Sequence, residues 1–187
     1  MSGYFYMIET AYILAGGKSS RMGEDKGLKL LAGKPLIEYV IGALAPYFPT
    51  IKISADNPKY ERFGYELVAD SISGKGPMGG IYSALKNSPF DDVFITACDM
   101  PCISASSVNY LLQQKNKSAT VAIYHGKIQP LFGIYNKNLI PVLEAKIAMN
   151  QLKMIEFLRE TEVTFIEMDN DAVFLNINTL EDFNEMV

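Results

Sequence analysis

Residues 11–27 read AYILAGGKSSRMGEDKG, and this stretch decides the fold. Its first four residues, Ala11 to Leu14, form an apolar run that is typical of a buried β-strand. The glycines and cations that follow are typical of a loop that brings backbone amides close to a ligand. A buried strand that runs into such a loop favours an α/β fold, in which ligands bind beyond the carboxyl ends of strands.

The same alternation of short strands and longer amphipathic helices continues along the chain. It predicts βαβ units and a mainly parallel sheet. The predicted strands are residues 11–14, 51–54, 66–68, 93–97, 120–124, 131–135 and 163–166. The predicted helices are residues 36–44, 78–86, 104–115, 139–146, 151–159 and 179–187. Because the chain has 187 residues and no linker-like stretch, we expect a single α/β domain over residues 1–187.

Composition excludes several functional classes. The formal net charge is -4 and the lysines and arginines are scattered, so we expect no nucleic-acid partner. No stretch approaches about eighteen continuous apolar residues, and the start lacks a signal peptide's basic region, so we expect a cytoplasmic protein without a membrane partner. Cys98 and Cys102 are the only cysteines and His125 is the only histidine, which argues against a zinc site.

The loop after the first predicted strand has the residues to hold phosphates. Gly16 and Gly17 let backbone amides approach a ligand, while Arg21 and Lys26 can neutralise phosphate oxygens. The alternative is a surface loop whose cations are merely solvated. A Walker loop is excluded, because its first glycine would fall on Tyr12.

A second glycine pattern, Gly74-Lys75-Gly76-Pro77-Met78-Gly79, formally matches G-x-G-x-x-G. The match is weak as a dinucleotide fingerprint, because Pro77 removes an amide donor where a pyrophosphate would need one. Three residues, 71–73, also separate the pattern from the strand before it. We therefore do not expect a Rossmann-type dinucleotide site.

Several polar residues follow predicted strands, on the side where open α/β sheets bind ligands. Asp99 is placed to bind Mg²⁺, since one well-placed carboxylate is enough to bring the ion to a bound triphosphate. Its alternative role is to cap the helix that starts near Ser104 or to hydrogen-bond the turn. Asp70 likewise ends a short strand. Asn176 and Asn178 share one face of the chain, or else serve as strand-end and helix-cap residues.

Together these segments resemble the molybdenum cofactor guanylyltransferases, a branch of the nucleotidyltransferase superfamily. The resemblance covers nearly the whole chain and is carried by residues 14–23, 25–27, 33–36, 70, 76–80, 98–101, 129–135 and 175–179. It implies a Rossmann-like three-layer sandwich of the nucleotide-diphospho-sugar transferase type. It also implies transfer of GMP from GTP to molybdopterin with Mg²⁺ as cofactor. Molybdoenzymes or other molybdenum cofactor biosynthesis proteins are the implied partners.

The resemblance also implies roles for individual residues. The nucleotide-binding residues that it implies are Leu14, Ala15, Gly16, Gly17, Lys26, Asp70 and Asp99, with Asp56, Asn57 and Gly79 as further contacts. Arg21, Lys26 and Asp99 form the implied catalytic group, in which Asp99 also binds the metal ion and Arg21 meets the phosphates. Asn176 and Asn178 lie toward the pterin.

Asp56 departs from the family pattern, because an asparagine usually contacts the nucleotide at this position. A carboxylate can accept hydrogen bonds from guanine N1–H and N2–H₂, but it cannot donate one as an amide does. The alternatives for function are a molybdopterin cytidylyltransferase, another sugar- or polyol-phosphate nucleotidyltransferase, and a nucleotide-binding regulatory protein of the same fold. The presence of Arg21, Lys26 and Asp99 favours an enzyme.

Overall fold

The computed structural model describes residues 8–16, 25–72 and 74–168. Its strands are β1 (Thr10–Leu14), β2 (Leu30–Leu31), β3 (Lys34–Pro35), β4 (Thr50–Ser54), β5 (Glu66–Val68), β6 (Asp92–Ala97), β7 (Ala119–Tyr124), β8 (Lys127–Asn136) and β9 (Val163–Glu167). Its α-helices are α1 (Leu36–Leu44), α2 (Gly76–Asn87), α3 (Ala105–Gln113), α4 (Ile140–Ala148) and α5 (Met154–Arg159). Short 3-10 helices occupy Lys26–Leu28, Pro58–Phe63 and Lys137–Leu139. Within these described ranges, no helix has the length and apolar character needed to cross a membrane.

Seven strands form one sheet in the order β5-β4-β1-β6-β8-β7-β9. The first four strands of this order are mutually parallel, and β8 runs antiparallel to its neighbours β6 and β7. The mainly parallel sheet that the sequence predicts is therefore confirmed. The order also places β1 between β4 and β6, so the carboxyl ends of three parallel strands meet at one edge, where such sheets bind ligands.

Helices cover both faces of the sheet and give two separate apolar cores. Successive side chains of a strand point to opposite faces, so Ile13 and Tyr12 of β1 enter different cores. Ile13 belongs to the core formed with α1 and α3. Tyr12 belongs to the core formed with α2, α4 and α5. This arrangement confirms the predicted three-layer sandwich.

The hairpin of β7 and β8 explains why β8 starts earlier than predicted. His125 and Gly126 turn the chain with φ angles of 46° and 70°, which is the geometry of a tight hairpin turn. The strand predicted from the sequence began at Leu131, directly after Pro130, and proline cannot donate a hydrogen bond to a strand ladder. A register shift between β7 and β8 leaves residues 130–132 without partners in β7, and this bulge accommodates the proline.

The boundary between α4 and α5 also differs from the sequence prediction. Asn150 adopts a φ of 56° and donates to the carbonyl of Ile147 at 3.0 Å, while Gln151 donates to the carbonyl of Lys146 at 2.8 Å. These two bonds form a Schellman motif, which ends a helix. The predicted helix 151–159 therefore begins only at Met154. The predicted helix 179–187 lies outside the described residues.

Candidate functional site

Up to Gly16, the chain at the end of β1 remains hydrogen-bonded to the end of β4 on one side and to the segment after β6 on the other. The Ala15 amide donates to the carbonyl of Ser54 at 2.9 Å, and the Cys98 amide donates to the carbonyl of Leu14 at 3.1 Å. The side chains of Leu14 and Ala15 are buried, whereas Gly16 is exposed. At the end of the central parallel strand, the side chains of Leu14 and Ala15 are therefore turned into the core, and the backbone of Gly16 is exposed.

Asp70 lies beside Gly16, on the adjoining part of the same edge. Its Oδ1 accepts a 2.9 Å hydrogen bond from the Ser54 hydroxyl, and a Cβ added at Gly16 would lie 3.9 Å from its Oδ2. Burial is the largest cause that raises the pKa of the Asp70 carboxyl, and the charge of Asp56 raises it further, while the Ser54 hydrogen bond lowers it. The site thus has a partly desolvated carboxylate that can accept hydrogen bonds.

Lys26 and Asp99 form an ion pair at the same edge. Nζ of Lys26 lies 3.1 Å from Oδ2 of Asp99, and the two side chains are 37% and 19% exposed. Lys26 opens the 3-10 helix Lys26–Leu28, and Asp99 stands two residues beyond β6. A cation and a carboxylate are therefore held side by side and within reach of solvent.

Asp25, directly before Lys26, is anchored by two side chains from the segment after β4. The Tyr60 hydroxyl donates to its Oδ1, and the Asn57 amide donates to its Oδ2 at 3.2 Å. Asn57 also caps the 3-10 helix Pro58–Phe63, because its Oδ1 accepts from the Lys59 amide at 3.0 Å. Both ends of the Asn57 amide are thus engaged within the protein.

Gly27 is buried where the turn crosses Tyr60 and Cys98. A Cβ at this position would lie 2.5 Å from the Tyr60 hydroxyl and 3.0 Å from both Cβ and Sγ of Cys98. Such distances leave no room for a side chain. Burial raises the pKa of the Cys98 thiol, and the charges of Asp99 and Asp25 raise it further, so the thiol remains neutral.

Gly79 and Gly80 of α2 allow close packing in this structure. A Cβ at Gly80 would lie 3.0 Å from Cδ1 of Leu14, and one at Gly79 would lie 3.1 Å from the carbonyl of Ile72. The Ser71 amide donates to the Ser83 hydroxyl at 2.8 Å and ties the preceding loop to the same helix. The G-x-G-x-x-G pattern follows the edge strand β5, so the structure agrees with rejecting a dinucleotide fingerprint.

The structure gathers at one edge most of the residues that the sequence singled out. These are Leu14, Ala15, Gly16, Lys26, Asp56, Asn57, Asp70 and Asp99. Gly79 is buried in α2 nearby. Gly17, Arg21, Asn176 and Asn178 lie outside the described residues. The alternative role of Asp99 as a helix cap is wrong, because Ser104 caps α3 by accepting from the Ser107 amide at 3.1 Å.

Sequence reasoning missed Asp25, Ser54 and Tyr60 as parts of the site. Ser54 carried a usable signal, since it ends a strand at the ligand side of the sheet. Asp25 lay within the quoted glycine-rich loop, next to a residue that was singled out. Tyr60 carried no signal, because its contact with Asp25 spans 35 positions.

The fold and this site define a class of protein, the nucleoside triphosphate transferases, and comparison with known proteins gives the same answer. The family described as "MobA-like NTP transferase domain" matches residues 11–163. A protein from Flavobacterium johnsoniae, named a probable molybdenum cofactor guanylyltransferase, is 35% identical over 95% of each chain. A molybdenum cofactor guanylyltransferase from Vibrio parahaemolyticus is 36% identical over 91% of this chain and 90% of its own.

A solved structure agrees with these sequence comparisons. The molybdopterin-guanine dinucleotide biosynthesis protein A from Archaeoglobus fulgidus superposes with a TM-score of 0.78 at 25% identity, covering 94% of this chain and 95% of its own. The chain described here belongs to the molybdenum cofactor guanylyltransferase family.

Proposed function

We propose that this protein transfers GMP from GTP to molybdopterin, forming molybdopterin guanine dinucleotide and releasing pyrophosphate. The observation that supports this most directly is the Lys26–Asp99 pair, which lies beside the backbone edge formed by residues 14–16. A triphosphate needs a cation, a metal-binding carboxylate and backbone donors close together. Membership of the family narrows the substrates to GTP and molybdopterin.

The proposed reaction needs alignment and charge neutralisation more than covalent chemistry by the protein. An oxygen of the terminal phosphate of molybdopterin forms a bond to the α-phosphorus of GTP. The bond between that phosphorus and the oxygen bridging to the β-phosphate breaks, and pyrophosphate leaves with the electron pair. Lys26 neutralises phosphate charge in this scheme, and Arg21 is proposed to neutralise phosphate charge as well.

Asp99 is proposed to hold Mg²⁺, which when bound neutralises and orients the triphosphate. The ammonium group of Lys26 contacts Oδ2 of Asp99. A divalent ion would therefore be held through Oδ1 or would displace that ammonium group. Within residues 8–16, 25–72 and 74–168 no group of three or more His, Cys, Asp or Glu side chains is placed to hold a metal ion. A single carboxylate suits Mg²⁺, which takes its remaining ligands from phosphates and waters.

Asp70 and Asp56 are proposed to recognise the base, since carboxylates accept hydrogen bonds and guanine offers N1–H and N2–H₂. Both residues follow the carboxyl ends of strands, as Asp99 does, and the negative charge of Asp56 raises the pKa of Asp70. We further propose that Asn176 and Asn178 face the pterin, that residues 1–187 form one cytoplasmic domain, and that molybdoenzymes receive the product.

The test is to incubate the purified protein with molybdopterin, Mg²⁺ and each of the four ribonucleoside triphosphates, and to identify the pterin product by mass spectrometry. A guanine dinucleotide that forms only with GTP supports the proposal. A cytosine dinucleotide would replace it with the cytidylyltransferase alternative. No product with any triphosphate would contradict the proposed reaction.

A further inference from the structure

We propose that Tyr60 is a positioning residue that sets the place of Lys26 opposite Asp99. This inference rests on the proposed function, in which Lys26 binds phosphates. Tyr60 is fully buried in the 3-10 helix Pro58–Phe63, and its hydroxyl donates to Oδ1 of Asp25, the residue before Lys26.

Asp25 is held at three points, so its orientation is set. Its two carboxylate oxygens accept from Tyr60 and Asn57, and its carbonyl accepts from the Leu28 amide at 3.1 Å. When both the side chain and the carbonyl of a residue are fixed, the backbone direction into the next residue is fixed as well. The next residue is Lys26, whose ammonium meets Asp99.

The same hydroxyl also lies close to the segment that carries the other half of the ion pair. A Cβ added at Gly27 would lie 2.5 Å from the Tyr60 hydroxyl and 3.0 Å from Sγ of Cys98, the residue before Asp99. One buried group therefore lies near the residue that precedes each member of the pair. Burial is the largest cause that raises the pKa of Tyr60, so the hydroxyl keeps its proton and remains a donor.

Tyr60 cannot touch substrate itself. Its side chain has no solvent exposure, and the backbone of Gly27 covers the hydroxyl so closely that a Cβ there would lie 2.5 Å away. Any effect of Tyr60 on turnover must pass through the residues it holds. This geometry separates a positioning role from a catalytic one.

The first test is Tyr60→Phe, which keeps the buried ring and removes only the hydroxyl. We expect kcat/KM for GTP to fall about tenfold to a hundredfold, because small misplacements of a charge-neutralising group are costly to turnover. The matched control is Tyr12→Phe, which removes a buried hydroxyl that donates to Asn87 at 2.9 Å in the other core. The control should change kcat/KM by less than about twofold.

A double-mutant cycle distinguishes positioning of Lys26 from general damage. In a Lys26→Met background, Tyr60→Phe should cost less than about twofold in kcat/KM, because the group that it positions is gone. Equal losses in both backgrounds would overturn the proposal, since a merely structural role lowers both alike.

A chemical measurement keeps the inference separate from the proposed function. Lysine acylation followed by peptide mass spectrometry reports how well the Lys26 ammonium is paired in the protein without nucleotide. Tyr60→Phe should speed acylation of Lys26 roughly two- to fivefold, as expected for weakening a partly exposed ion pair. Lys115, which pairs with Asp92 at 2.7 Å, is the internal control and should not change.

Dinucleotide formation tests the proposed function, and acylation of Lys26 tests the positioning role, so the two results can be told apart. A wild-type protein that makes no dinucleotide would contradict the proposed function, yet faster acylation of Lys26 in Tyr60→Phe would still support the positioning role. An unchanged acylation rate of Lys26 would overturn the positioning role whatever the wild type catalyses.

Discussion

Nζ of Lys26 lies 3.1 Å from Oδ2 of Asp99, although the two residues are 73 positions apart in the sequence. One comes from the turn after Asp25 and the other from the segment after β6. Neither side chain is fully buried, and ion pairs of this kind contribute about 0–1 kcal/mol to stability. Substitutions in the pair should therefore change activity far more than the free energy of unfolding.

Asp99→Asn should abolish metal-dependent turnover while the protein stays folded. The amide keeps the shape of the side chain but loses the negative charge that a divalent ion needs. We expect kcat to fall on the order of 10²-fold or more, measured across a Mg²⁺ titration. Circular dichroism and thermal melting should match the wild type.

Asp92→Asn is the matched control for Asp99→Asn. Asp92 begins β6, the strand that Asp99 follows. It pairs with Lys115 and accepts a 2.8 Å hydrogen bond from the Asn136 amide, but it lies at the amino end of the strand, away from the candidate site. This variant should lose some stability and keep its Mg²⁺ dependence. Similar kinetic losses in both variants would contradict the assignment of the metal to Asp99.

Gly27→Ala should lower both stability and turnover. The added methyl group would meet the Tyr60 hydroxyl at 2.5 Å and the Cys98 side chain at 3.0 Å, so the turn must shift. Overpacking of this kind costs about 1–3 kcal/mol, measurable by urea unfolding at constant m. The shift also moves Lys26, so kcat should fall.

Gly42→Ala is the control for the change from glycine to alanine itself. Gly42 lies exposed within α1, and nothing lies within 4 Å of a Cβ added there. Alanine in this helix should stabilise the protein by about 0.5–1 kcal/mol and leave turnover unchanged. If Gly27→Ala were as stable as the wild type, the turn could move away from Tyr60 without cost. The tight packing at Gly27 would then contribute nothing to the free energy of unfolding.

Sequence periodicity was enough to predict the sheet and the positions of Asp70 and Asp99 relative to its strands. Apolar runs identified β1 and β6, and both aspartates follow the carboxyl ends of strands as predicted. The β2–β3 pair was missed, because strands of two residues show no period. The link from Asp25 to Tyr60 was missed for another reason. It depends on how the 3-10 helix after β4 folds back onto the first loop, and no local pattern encodes that.

Asp70→Asn should stabilise the protein increasingly as the pH rises. The folded protein raises the pKa of Asp70 above its ordinary value of 3.8, mainly by burial, so the folded state holds this proton more tightly than the unfolded chain. Ionisation of Asp70 therefore costs folding free energy as the pH rises from about 4 through the raised pKa. The stability difference between variant and wild type should grow over this window and level off above it, at less than about 1 kcal/mol.

Ser54→Ala should act in the opposite direction. The Ser54 hydroxyl donates to Asp70 at 2.9 Å and lowers the pKa of that carboxyl, so its loss should raise the pKa further. This variant should lose more stability than the wild type over the same pH window. Urea unfolding at several pH values measures both variants, and parallel pH profiles for all three proteins would contradict the assigned cause.

Inosine triphosphate should be a poorer substrate than GTP. It lacks the guanine N2 amine, so a carboxylate that accepts from this group would be left without its partner. We expect kcat/KM to fall about tenfold or more, in line with the cost of an unpaired polar group. Asp56→Ala should reduce this difference in kcat/KM between the two nucleotides. Asp91→Ala, which changes another exposed aspartate just before β6, should preserve it. Equal use of both nucleotides by the wild type would rule out carboxylate recognition of the N2 amine.

The position of β1 bears on how firmly the candidate site is held. This strand is fully buried and has parallel partners on both sides, so its amides should be among the last to exchange with deuterated solvent. Ala15 and Gly16 continue directly from it. The candidate site thus begins at the part of the chain that is expected to open least often, so its backbone should stay in place when other parts of the fold open locally.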